Sequence, residues 1–167
     1  MTAAAALLAL LGAGAFPPPV TLDGVGGVRP GMTVVQVATR WGFPLHPDAR
    51  AFGRACAPAD FERAGARGAV FFTYGRFGAV SFDRGARTGA GVAIGSSEAA
   101  LRRAYAGLLR SRHSAYGSGP TYYVDRRHAP HWRLRFEVAG RGERHAGHVT
   151  EIWFGTRPFA SLDEGCA

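Results

Sequence analysis

Two stretches set 64 positions apart share one pattern, and this constrains the fold more than any other feature. Residues 27–42 read GVRPGMTVVQVATRWG and residues 91–107 read GVAIGSSEAALRRAYAG. Gly27 aligns with Gly91, Val28 with Val92, Gly31 with Gly95, Thr33 with Ser97, Val37 with Leu101 and Trp41 with Tyr105. Self-similarity at a fixed offset is the mark of a repeated structural unit.

Each copy predicts a short capped helix. Thr33 is placed to cap a helix N-terminus, with Gln36 three residues on to complete a capping box and Met32 and Val37 at the staple positions. Val34, Val37, Ala38 and Trp41 then fall on one apolar face. Gly42 ends the helix and Pro44 prevents its restart. In the second copy Ser97 is the cap and Glu98 favours the positive helix end. Leu101, Ala104, Tyr105 and Leu108 make the apolar stripe, and Arg102 and Arg103 face solvent.

Strands are expected after each helix. Residues 69–74 and 79–83 flank a Gly75-to-Gly78 hairpin signal. Residues 132–138 alternate, with Trp132, Leu134, Phe136 and Val138 on one face and Arg133, Arg135 and Glu137 on the other. In 148–154, Ile152 and Phe154 face inward while Glu151 and Trp153 face outward; residues 121–124 add a further strand. Residues 43–68 and 109–120 read as irregular connections, and 139–147 as a turn. The expected class is α+β: two tandem helix-plus-antiparallel-sheet repeats, over 24–88 and 89–167, with helices on one sheet face. The other face would be open. Arg133, Arg135, Glu151 and Trp153 are the candidate partner-binding residues, an exposed Trp among charges being the composition of a binding surface. The alternative for Trp153 is cover by a loop or the C-terminal tail.

The net charge of +8 comes entirely from arginine, since the chain has no lysine. The arginines are spread, with no run longer than a pair such as Arg102–Arg103 or Arg126–Arg127. That dispersion argues against nucleic acid, whose binders concentrate charge and interleave it with stacking aromatics. Attraction to a protein or to an anionic component of the cell envelope remains.

The first fifteen residues form an uncharged small-apolar run ending in Ala13-Gly14-Ala15, too short to span a bilayer. They read as a secretory signal; a buried N-terminal helix is the alternative. In an exported chain Cys56 and Cys166, the only two cysteines, form one disulfide, two unpaired thiols being the other reading. Closing a loop of about a hundred residues would stabilise the fold by roughly 4–5 kcal/mol on the chain-entropy account.

Catalytic patterns are weak. His128-Ala-Pro-His131 and His145-Ala-Gly-His148 are both H-x-x-H, but Pro130 and the glycines argue against helices there. A zinc enzyme also needs a third protein ligand and a general base. No nucleophile elbow or phosphate-binding glycine loop is present in the sequence. No catalytic residue, metal or cofactor is assigned. The rival to a binding module is a secreted hydrolase or metal-binding protein using the histidines of residues 113–148, with an acid such as Asp125.

Gly31-Met32-Thr33-x-x-Gln36-Val37, followed by Gly42, resembles the turn into the helix of the β-lactamase-inhibitor-protein fold and of the SmpA/OmlA small outer-membrane lipoproteins. The second copy keeps it loosely, with Ser96 and Ser97 in place of Met-Thr and Ala100 in place of Gln. Gly91-Val-x-Ile94-Gly-Ser-Ser and the C-terminal Glu164-Gly-Cys166 are also similar to exported proteins of high-GC Gram-positive bacteria. The resemblance implies a protein-binding scaffold that uses its open sheet face. The cysteines depart from the inhibitor pattern, which has a bridge inside each repeat, and inhibitory activity does not carry over residue by residue.

Overall fold

A computed structural model describes residues 16–52, 55–113, 118–126, 129–157 and 160. In chain order the elements are β1 (Val20–Thr21), β2 (Gly24–Val25), α1 (Val34–Trp41), α2 (Ala49–Phe52), β3 (Ala57–Arg63), β4 (Ala66–Thr73) and β5 (Arg76–Arg84). They continue as α3 (Glu98–Ala104), β6 (Leu109–His113), β7 (Pro120–Arg126), β8 (Ala129–Val138) and β9 (Val149–Thr156). β1 and β2 form a small ribbon, and the other strands make one sheet in the order β3-β4-β5-β9-β8-β7-β6. Every pairing in that sheet is antiparallel.

This corrects the α+β expectation of two tandem helix-plus-sheet repeats. The chain is mostly β, with 48% of its described residues in strands and 15% helical. The physical reason lies at β5 and β9. Each would be an exposed edge if the two halves kept separate ribbons, and unpaired edges are a liability. Instead Val80 pairs with Phe154 and Phe82 with Ile152, joining the ribbons through their last strands. Gly155 lets the seam close, because a Cβ there would lie 2.6 Å from Ala79 Cα. Strands β3 and β6 also fall where irregular chain was expected, and β4 and β5 run closer together than expected, joined at Tyr74-Gly75.

The local reading of the helices matches the structure. Gln36 N–H donates to Thr33 Oγ1 at 3.3 Å and Thr33 N–H to Gln36 Oε1 at 2.9 Å, a complete capping box. Gly42 closes α1 in the left-handed conformation, at φ 75°. Ser97 Oγ accepts from Ala100 N–H at 3.2 Å. The segments before the two helices also bond alike: Gly31 N–H donates to Phe77 O at 2.8 Å, and Gly95 N–H to Val149 O at 2.7 Å. The stripe of α3 ends sooner than expected. The helix stops at Ala104, and Leu108 is exposed.

Helices α1 and α3 pack on the same sheet face. Val37, Trp41, Leu101 and Tyr105 join Val70, Phe72, Val80, Phe82, Leu134, Phe136, Ile152 and Phe154 in one core. Burial of each of the large side chains is worth about 1.5–3 kcal/mol. Trp41 anchors the β1–β2 ribbon as well, its Nε1–H donating to Val25 O at 3.0 Å. The opposite face holds a smaller apolar cluster of Cys56, Phe71, Ala79 and Trp153.

Candidate functional site on the polar face of the sheet

Strand alternation sets what the second face carries. Residues Asp60, Ala69, Ser81, Trp153, Arg135, Tyr123 and Arg110 lie opposite one another in a row across all seven strands. The next row places Glu151 opposite Glu137, Glu137 opposite Thr121, and Thr121 opposite Arg112. The row is therefore aromatic and cationic toward β7 and acidic toward β3.

The β7–β8 end is internally satisfied. Arg133 contacts Asp125 Oδ1 at 2.8 Å and lies over the Tyr123 ring at 4.7 Å. Arg135 is 3% exposed, lies 4.9 Å over the Trp153 ring and donates to Glu137 at 2.5 Å. Trp153 is 4% exposed and stacks on Phe71, with ring centroids 5.2 Å apart and planes at 14°. Of the four residues expected on an open face, Trp153 and Arg135 are thus buried, Arg133 is largely covered and Glu151 is half-buried. The alternation of β8 and β9 correctly told which face each occupies. It carried no information on the stack with Phe71, which comes from a distant strand.

What stays accessible is a groove of about 440 Å³ at the β3–β4–β5–β9 end, which sequence reasoning missed. Asp60, Glu62, Asp83 and Glu151 line it with Arg67 and Ser81, over Phe61 and Ala69. The signal for Asp60 and Glu62 is their alternation with Ala59 and Phe61, a stretch too short of apolar residues and too near Pro58 and Gly65 to stand out as a strand. Arg67 is held by Asp83, its Nε donating to both carboxylate oxygens at 2.8 Å, and Arg84 pairs with Glu62. Among the described residues no arginine lies within ion-pair distance of Asp60 or Glu151. Burial pushes the Glu151 carboxyl above its ordinary range, against the opposing pulls of Trp153 and Arg135, and Glu137 adds to the rise. Glu137, opposite Glu151, accepts from Arg135 Nε and from Thr121 Oγ1, the latter at 2.8 Å. Two facing carboxylates do not both ionise cheaply.

The described histidines of residues 113–148 are divided among separate elements. His113 lies on β6, His131 on β8, and His145 and His148 in the β8–β9 turn; His128 lies outside the described residues. Among the described residues no three potential metal ligands cluster. Cys56 is buried beside Phe71, and no described cysteine is free. Its expected partner Cys166 lies outside the described residues, as do positions 1–15 of the expected signal. No described helix is long and apolar enough to cross a membrane.

No family model matches the sequence, and no curated protein matches it. Crystal structures that resemble the fold include those of two bacterial proteins. One is a cysteine-rich secretory protein, SAV1118, from Staphylococcus aureus subsp. aureus Mu50, with TM-score 0.52 and 12% identity over 89% of this chain. The chain spans 50% of that protein's length. The other is the uncharacterized protein yfeY from Escherichia coli, with TM-score 0.55 and 14% identity over 82% of this chain and 99% of that one. At such identities the likeness concerns the fold alone. Neither protein carries the name of the inhibitor or SmpA/OmlA families.

Proposed function

We propose that this chain is an exported, non-enzymatic protein-binding module that receives a basic side chain of its partner in the acidic groove of the polar sheet face. The observation that carries the reading is local charge. On a chain of net charge +8, four carboxylates line one groove, and two of them, Asp60 and Glu151, have no arginine within ion-pair distance among the described residues. A guanidinium or ammonium entering there favours the charged form of Glu151, which burial disfavours, and gains charge-assisted hydrogen bonds. The scattered histidines give the hydrolase and metal readings no comparable support. The groove's sign also favours a protein over an anionic envelope polymer at this spot.

Calorimetric titration with a capped Gly-Arg-Gly peptide and its Gly-Glu-Gly counterpart tests the reading. The arginine peptide binds and the glutamate peptide does not. Asp60→Asn combined with Glu151→Gln weakens the arginine peptide about tenfold or more, as expected for losing two charge-assisted contacts. Equal binding of both peptides, or an unchanged double variant, would refute it.

A further inference from the structure

The β4–β5 hairpin ends in an aromatic side chain that the fold does not use. Thr73 pairs with Arg76, leaving Tyr74-Gly75 as a two-residue turn with φ 49° and 75°. Both central residues of such a turn take positive φ, which favours Asn-Gly and disfavours bulky side chains. The same molecule contains a control. The β3–β4 hairpin closes between Arg63 and Ala66 through Ala64-Gly65, with φ 49° and 82°. Ala64 makes the equivalent bend with a methyl group, so the geometry of the turn does not call for a ring. Tyr74 is nevertheless 75% exposed.

Apolar surface continues beside it. Tyr74 and Gly75 line a groove of about 420 Å³ with Val34, Pro47, Ala49 and Phe72. Val35, next to Val34 on α1, is 73% exposed. The charges next in the chain to this surface are mostly positive. Arg76 follows the turn and donates to Gly31 O at 3.0 Å; Arg50 follows Ala49. The one neighbouring carboxylate, Asp48, accepts from Arg50 N–H at 2.8 Å, and the first turn of α1 carries no acidic residue.

We infer that Tyr74 and Val35 form a second docking surface, which seats in an apolar cleft rimmed by carboxylates on a partner protein. Exposed tyrosine is a frequent anchor of interfaces, and the two arginines match an acidic rim. This surface lies at the opposite end of β4 and β5 from the acidic groove, and it stands independently of that reading.

The probe is the full chain carrying Tyr74→p-benzoylphenylalanine, irradiated with envelope extract of the source cells. One heteromeric adduct is expected. Excess unmodified chain competes it away, while Tyr74→Ala or Arg50→Glu/Arg76→Glu chains compete at least about tenfold less well. The turn itself is checked by melting. Tyr74→Ala folds, as Ala64 shows, and Tyr74→Asn melts above the unaltered protein because Asn tolerates positive φ. Absence of an adduct, an adduct only with a second copy of this chain, equal competition by Tyr74→Ala, or a lowered melting point for Tyr74→Asn would each overturn the inference.

Discussion

Trp153 lies flat against Phe71, two strands away, with 14° between the ring planes. This stack turns a residue expected on an open surface into the centre of a second, smaller core. Trp153→Ala is predicted to destabilise the protein by about 3–5 kcal/mol, the cost of emptying a large aromatic site. Trp153→Phe keeps a ring there and costs less. Urea unfolding midpoints for the two variants check the order.

Glu151 couples the groove to pH. Its carboxyl is raised by burial, so its support of the fold is full below its unfolded pKa and is lost as pH rises through the folded one. Glu151→Gln mimics the protonated form. The variant should therefore be more stable than the unaltered protein at pH 7–8, with the gap closing as pH falls to about 4, the ordinary carboxylate range. Thermal melts across that interval measure it.

A different polar group sets the alkaline limit. Tyr122 donates to Glu98 and accepts from Arg102, pinning α3 to β7. Burial first, and then the Glu98 carboxylate, push the phenol up to about 12. A phenol raised on folding stabilises below its unfolded pKa, about 10, and that contribution is lost as pH climbs toward the folded value. Burial raises Tyr105 in the same direction. Tyr122→Phe is predicted to flatten the fall in melting temperature above pH 10. Glu98 is lowered, chiefly by the Tyr122 hydrogen bond, so its contribution is lost on the acid side as pH falls through its folded pKa.

The capping box of α1 gives a smaller effect. Thr33→Ala removes the acceptor for Gln36 N–H and should cost about 1 kcal/mol. Chemical denaturation resolves a change of that size, and Thr33→Ser should restore most of it.

These residues also show what the sequence made legible. Caps, turn glycines and the two faces of β8 and β9 depend on side chains close in the chain, and each was readable from Thr33, Gly42, Ser97 and the alternation of 132–138. Strand partners are not local. Nothing near Val80 announces Phe154, so the seam that fuses the ribbons into one sheet could not be read. The acidic groove has the same origin. Asp60, Asp83 and Glu151 come from three strands, and only the pairing brings them together.

A site-resolved amide NMR titration with the capped Gly-Arg-Gly peptide measures directly where a cation binds. Saturable shifts are predicted at Asp60, Ala69, Ser81 and Glu151, and they should vanish in the Asp60→Asn/Glu151→Gln protein. Shifts scattered over the surface, or the same shifts in both proteins, would contradict the account.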